Sequence, residues 1–348
     1  MTATVAYLGW NGRGNTGDDA IYEAVSEGLA PAAVETFPLY AGELARSITG
    51  GSSARLRRSH LLLGGGTLVG RSVWRKNLRL KAFPLVRRRP RFMIGAGVED
   101  PSFQGRHSFS DDGRELARWP AILSHFDRVT VRGPRSQELL AGVGVAADVV
   151  GDPALLLSPP APAGAGGKVV GVTLGFGDDL WGHDHRRVEV AVVACLQELI
   201  AEGWRVRLLC MNDEDRTGHA AVARGLAAQA EEVSVEVVDT PASFLQAASE
   251  CAVVVAERLH AMVLAAAAGT PFVALEYQPK CRDFTASVDW EQWSVRTDAV
   301  TAGALCQLVG DLVEDHGARA RLAGSVDELR RRLNDELVRV RQAVGAAP

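Results

Sequence analysis

The sequence predicts an α/β protein of two Rossmann-like domains whose parallel sheets face a central cleft. Three observations lead there: the length of 348 residues, a steady alternation of short apolar runs with longer amphipathic stretches, and a break in that alternation near the middle. Single hydrophobic cores stop growing at about 250–300 residues, so this length favours two domains. Continuous apolar strands separated by helices indicate parallel sheets covered on both faces.

In the first half, strands are expected at residues 4–8, 60–63, 92–94 and 128–131, each β-branched or leucine-rich and closed by glycine or charge. Helical patterns fall between them at 19–29, 113–125 and 134–141. The stretch 158–167, SPPAPAGAGG, interrupts the rhythm. Proline removes a backbone donor and glycine adds freedom, so neither strand nor helix is favoured there. Domains are therefore expected at 1–157 and 168–348. The alternation then restarts, with strands at 169–174, 206–211, 233–238, 253–256 and 272–275 and helices at 188–201, 216–230, 241–248 and 258–268. The tail, 326–344, reads as a long charged amphipathic helix that can pack back on the N-terminal domain. Two such domains and a long final helix give a GT-B-like plan, in which ligands sit at the carboxyl ends of strands.

Composition narrows the function. Hydrophobic residues at 47% and charged residues at 23% are the balance of an ordinary globular protein. Lys and Arg number 38 against 42 Asp and Glu, a net charge of −4, which argues against a nucleic-acid partner. Five scattered cysteines (Cys195, Cys210, Cys251, Cys281, Cys306) form no CxxC pair and read as reduced thiols of a cytoplasmic protein. MTATVAYLGW reads as a first strand rather than a signal peptide, and the longest apolar runs are far shorter than a membrane span.

Candidate chemistry clusters where strands end. The first strand runs into GWNGRGNTGDDA, residues 9–20, containing Gly14, Asn15 and Asp18. Amides at the following helix N-terminus suit an anion or a sugar hydroxyl; equally, Asp18 and Asp19 can simply cap the helix. LLLGGGTLVG places three glycines, Gly64, Gly65 and Gly66, after a buried strand, where a ligand or another segment must come close. From Arg71 to Arg91 nine cations appear without an acid: Arg71, Arg75, Lys76, Arg79, Lys81, Arg87, Arg88, Arg89 and Arg91. This stretch suits an anionic membrane surface or a diphosphate lipid, and a solvated arginine-rich face is an equal alternative. Arg132, at the end of a strand, is expected at the cleft rim, where its planar fork matches carboxylate or phosphate; equally, a strand-end arginine can form an internal ion pair. Gly151-Asp152-Pro153 reads as a structural closure.

The strongest signal is AERLHAMVLAAAAGTPFVALEYQPK. Arg258 and His260 lie at a strand end and the first turn of a helix, where the macrodipole favours bound negative charge. Arginine clamps an anion and imidazole exchanges a proton near neutrality. Lys280 is expected to project into the same cleft. His183-Asp184-His185 lacks further metal ligands and reads as a solvated loop.

Taken together, residues 9–20, LLLGGGTL, VTVRGPRS, GDPALLL and ERLHAMVLAAAAGTPFVALEYQPK resemble the polysaccharide pyruvyl transferase family over roughly residues 4 to 290. The resemblance implies a GT-B-like enzyme that uses phosphoenolpyruvate, with no metal or other cofactor, to build a pyruvate ketal across two hydroxyls of a sugar or glycan acceptor, lipid-linked or not. It implies donor binding and catalysis by Arg258 and His260, with Arg132 as a second donor-binding arginine. Two departures, Gly70-Arg71 after the glycine run and Gly133 after Arg132, stand where family members often carry an acid and bear on acceptor identity. A nucleotide-sugar glycosyltransferase on the same architecture and a non-catalytic phospho-sugar binding module are the alternatives.

Overall fold

The computed structural model describes residues 3–49, 52–103, 105, 113–161, 167–175, 177 and 179–345. Its first half holds β1 (Thr4–Leu8), β2 (Ala33–Thr36), β3 (His60–Leu63), β4 (Gly66–Val69), β5 (Arg88–Val98), β6 (Arg128–Val131) and β7 (Asp148–Val149). These form one parallel sheet in the order β2-β1-β3-β5-β6-β7, with β4 also paired to β5. The second half holds β8 (Val169–Thr173), β9 (Arg205–Cys210), β10 (Val233–Val237), β11 (Val253–Ala256), β12 (Phe272–Glu276) and β13 (Ser294–Arg296). They too are all parallel, in the order β10-β9-β8-β11-β12-β13. The central strands β3, β8, β11 and β12 are buried at every position, as unbroken apolar runs between two helical layers should be.

Sequence periodicity placed β1, β3, β6 and β11 at the residues observed. It missed β4, β7 and β13, whose 4, 2 and 3 residues are too few to show a period. The strand expected at 92–94 is longer: β5 spans 11 residues, so β3 pairs its first part and β4 its second. The helix expected at 113–125 is instead a short 3₁₀ turn, Leu116–Arg118, and one turn of helix, Pro120–Leu123. Pro120 lacks the donor that would join them, and it sits at a first helical position where none is needed. Of the interruption at 158–167, residues 162–166 lie outside the described residues.

The terminal helix Ala318–Val344 buries Val326, Leu329, Leu333, Leu337, Val340 and Val344, the stripe its three- and four-residue spacing dictates. It lies against the first half of the chain. Glu336 accepts from Arg128 Nε at 3.0 Å and Nη2 at 2.5 Å, and Leu337 fills the space a side chain at Gly28 would need. Arg330 donates to the Leu155 carbonyl at 2.7 Å and to the Ala267 carbonyl at 2.8 Å, so one guanidinium ties both halves together. The five cysteines are free thiols, four buried and Cys306 half-buried. Among the described residues no helix is long and apolar enough to cross a membrane.

Candidate functional site

A cavity of about 670 Å³ opens where the carboxyl ends of the two sheets meet. Its lining comes from the turn after β1 (Asn15, Gly17, Asp18), the β4 region (Gly66, Thr67, Arg71), the end of β9 (Met211, Asn212), the turn after β11 (Arg258, His260) and the segment after β12 (Tyr277, Lys280). Strand ends supply these side chains because their last residues leave the hydrogen-bond ladder pointing into the crevice. A larger groove of about 820 Å³ runs beside the terminal helix. Its charges are already satisfied by one another, Arg128 with Glu336 and Arg332 with Glu328, so it offers a ligand little.

Arg258 enters the cavity already held. Its Nε donates to Asp215 at 2.8 Å, its Nη2 to Glu214 at 2.8 Å and also to Asp215, which is fully buried. Asn212, with its amide turned to satisfy its neighbours, donates to the Gly14 carbonyl at 3.2 Å and the Met211 carbonyl at 3.1 Å and accepts from Arg258 Nη1 at 3.1 Å. The short turn Asp213–Asp215 after β9 thus aims the arginine and fastens it to the first sheet's glycine loop. Nothing in the sequence flagged this turn, because its partners lie more than 40 residues away in the chain.

His260 sits in the first turn of the helix Leu259–Ala267 with 13% of its side chain exposed. Its Nε2 lies 3.8 Å from Asp152 Oδ2. On the other side its ring presses on the helix Thr16–Gly28, so that a Cβ at Gly17 would fall 1.9 Å from Nδ1. Only glycine permits that approach. Burial, with Arg132, Lys280 and Arg258 nearby, pushes His260 down to about 3, so the imidazole is neutral in the free protein. Asp152 has the structural role expected of it, accepting from Ala154 N at 3.0 Å to cap the turn Pro153–Leu156. It is also a fully buried carboxylate beside His260 and Arg132, which burial pushes up to about 6.

Asp18 lines the cavity and does not cap the helix. That work falls to Asn15, whose side chain accepts from Gly17 N at 3.0 Å and Asp18 N at 3.3 Å, while Asp19 accepts from Gly12 N at 2.5 Å. Burial pushes Asp18 up to about 7, with Lys280 pulling the other way and Asp152 reinforcing the rise. Lys280 also lines the cavity, with its Nζ 4.6 Å from the centre of the Tyr277 ring. Burial and the neighbouring Arg71 push it down to about 8. Arg71 in turn donates to Glu99 at 2.6 Å.

Other expectations need correction. Arg132 is not at the rim: it is fully buried, 3.9 Å from Asp152 and 3.6 Å from Asp283, and reaches the cavity only through Thr67 at 3.5 Å. A strand-end arginine whose carboxylate partners come from distant segments is drawn under the floor to meet them. Of the three glycines only Gly66 lines the cavity. Gly64 and Gly65 are small because the Tyr7 ring and Ile21 press against them, so the close neighbour is protein. Gly14 (φ +75°) shapes the turn and offers its carbonyl to Asn212. The cationic stretch is not one surface either. Arg71, Lys76 and Lys81 line the cavity, Arg75 pairs with Glu115, Arg91 is buried against the Phe83 ring, and Arg88 and Arg89 start β5 at the opposite end of the sheet. Asp184 caps a helix by accepting from Arg187 N, and no metal-binding cluster occurs among the described residues.

Comparison with known proteins agrees with this architecture. A search of curated proteins finds no match. Among solved structures, HepE of Anabaena in complex with UDP and glucose aligns with a TM-score of 0.59 at 13% identity, covering 99% of this chain and 100% of that one. MnaA of S. aureus with UDP gives 0.59 at 11% identity, covering 100% and 98%. A putative UDP-N-acetylglucosamine 2-epimerase from Listeria monocytogenes gives 0.63 at 10% identity, covering 100% and 98%. Identities this low speak for fold alone, and the fold is GT-B-like. The family model described as polysaccharide pyruvyl transferase matches residues 15–279, a span that holds Asp18, Asp152, Asp215, Arg258 and His260, and this transferase family is the one to which the chain belongs.

Proposed function

We propose that the chain moves pyruvate from phosphoenolpyruvate onto two hydroxyls of a sugar acceptor, forming a ketal and releasing phosphate. The observation that carries this reading is the gathering of Arg258, Lys280, Arg71, His260 and Asp18 around one cavity, with Arg258 and His260 at a helix N-terminus. A small trianionic enol phosphate suits such a cavity.

Arg258, oriented by Asp215, and Lys280 hold the donor's phosphate and carboxylate. Arg132, beneath the floor, adds positive potential without touching it. Binding these anions offsets the positive charge that adds to burial in holding His260 neutral, so the imidazole takes up a proton as the donor arrives. His260 then delivers that proton to the methylene carbon, and C2 becomes electrophilic. One sugar hydroxyl adds to C2 as Asp18 accepts its proton; phosphate leaves with the C2–O bond electrons, and the second hydroxyl closes the ketal while its proton departs with phosphate. Positioned proton transfer typically contributes about 10²–10⁴-fold, and the fixed cations stabilise charge in a site shielded from water.

His260→Ala is expected to leave phosphoenolpyruvate affinity nearly intact while turnover falls about 10²-fold or more; undiminished turnover would remove His260 from the mechanism. Calorimetric titration of phosphoenolpyruvate in buffers of differing ionisation enthalpy should show net proton uptake near neutral pH, absent in the His260→Ala variant. Incubation with donor and acceptor releases inorganic phosphate if this reading holds; a nucleotide-sugar glycosyltransferase would release none from phosphoenolpyruvate.

A further inference from the structure

The cavity has a second character. Away from Arg258 and His260 its walls become Trp10, Leu39, Tyr40, Val73, Trp74 and Leu80. Four of these are among the most exposed large apolar side chains of the molecule: Leu80 at 68%, Tyr40 at 51%, Val73 at 49% and Trp10 at 38%. They come from three separate segments yet ring one mouth, and soluble surfaces rarely gather such residues without a use. Cations surround them. Arg13 stacks on both Trp10 and Tyr40 at 5.1 and 4.6 Å, Lys76 and Lys81 line the mouth, and Arg79 is exposed beside Leu80. The acids flanking the mouth are each paired, Glu43 with Arg13, Glu99 with Arg71 and Glu115 with Arg75, so Lys76, Arg79 and Lys81 make up the local positive excess. A chain of net charge −4 therefore presents a locally cationic, aromatic-edged face, and presents it at the entrance to its reaction site.

We propose that this mouth, formed by residues 72–82 with Trp10 and Tyr40, docks on an anionic lipid bilayer, so that the cavity opens against the membrane surface. Tryptophan and tyrosine rings settle at the headgroup level, where one end is apolar and the other wet. Lysine and arginine beside them are drawn to anionic lipid, and the attraction weakens as salt screens it. Leu80 and Val73, on the outer side of a helical segment, enter the acyl boundary as the apolar face of an interfacial helix does. Arg87, Arg88 and Arg89 take no part, because β5 carries them to the far end of the first sheet.

The test is sedimentation of the full chain with vesicles of phosphatidylcholine alone and of phosphatidylcholine with about one-third phosphatidylglycerol, at low and high salt. The chain is expected to sediment with the anionic vesicles at low salt, to be released by salt, and to ignore the neutral ones. Arg79→Glu with Leu80→Glu should lower the bound fraction by roughly tenfold or more, whereas Arg87→Glu with Arg88→Glu, an equal or larger change of charge at the other end, should change it less than about twofold. No sedimentation with anionic vesicles overturns the proposal, and so does an equal loss in both variants. Donor chemistry is read separately, by phosphate release, so either proposal can fail while the other stands.

Discussion

At the scale of single residues, the site depends on a histidine held between a carboxylate and a glycine. Gly17 has no room for a side chain: Gly17→Ala places a methyl group 1.9 Å from His260 Nδ1, and either the imidazole or the helix must move. Turnover of that variant should fall by about 10²-fold, while circular dichroism shows an intact fold. Asp152→Asn keeps the shape but not the charge behind the imidazole, and kcat should drop by about tenfold or more with little change in KM. Asp18 and Lys280 set the pH dependence. Asp18 works ionised and Lys280 works charged, so kcat/KM, corrected for the one proton taken up with the donor, should rise as pH passes about 7 and fall beyond about 8. Lys280→Gln should erase the alkaline limb; a limb that survives would assign it to another group. Because the folded state raises Asp18, the wild type loses stability as pH climbs from the unfolded carboxylate's range to about 7, where the loss is complete. Asp18→Asn should therefore raise Tm at alkaline pH, and much less in acid, while abolishing transfer.

At the scale of elements, what was legible in the sequence was whatever is local. Arg258, His260 and Lys280 stood out because a strand end followed by a helix start is written in adjacent residues, and all three line the cavity. Asn15 was noticed for the same reason, and Gly17, two residues on, was passed over. Its constraint comes from His260 in the other half of the chain. Asp152 and Asp215 were illegible for a like reason: each sits in an ordinary cap or turn, and only the meeting of the two sheets brings them to His260 and Arg258. Arg132 was misplaced because sequence marks the end of a strand but not whether the surrounding carboxylates, Asp152 and Asp283, pull the side chain inward. Secondary structure shows the same division, since long apolar strands were readable and β4, β7 and β13, held by neighbouring strands, were not.

At the scale of the whole molecule, two parallel sheets face one another across a cavity whose walls come from both. Residues 1–157 and 168–348 are proposed as the two domains, the first sheet ending at Val149 and the second beginning at Val169. The terminal helix belongs to the second by sequence and crosses to the first in space. Leu337, 1% exposed and packed on Gly28, is the place to test that crossing. Leu337→Ala should cost about 2–5 kcal/mol in urea unfolding, and a much smaller loss would show that the helix contributes little to the first half.

That crossing also bears on how the protein is made. Arg128 and the carboxylate it grips, Glu336, are separated by 208 residues. The first sheet therefore leaves the ribosome with the ground beneath Arg128 and Gly28 uncovered, and it stays so while the entire second sheet is being synthesised. Until Leu337 arrives, that apolar groove is open to any passing surface, the circumstance in which nascent chains associate wrongly or engage chaperones. The N-terminal half made by itself should be poorly soluble, and adding the terminal helix back in trans as a peptide should recover it.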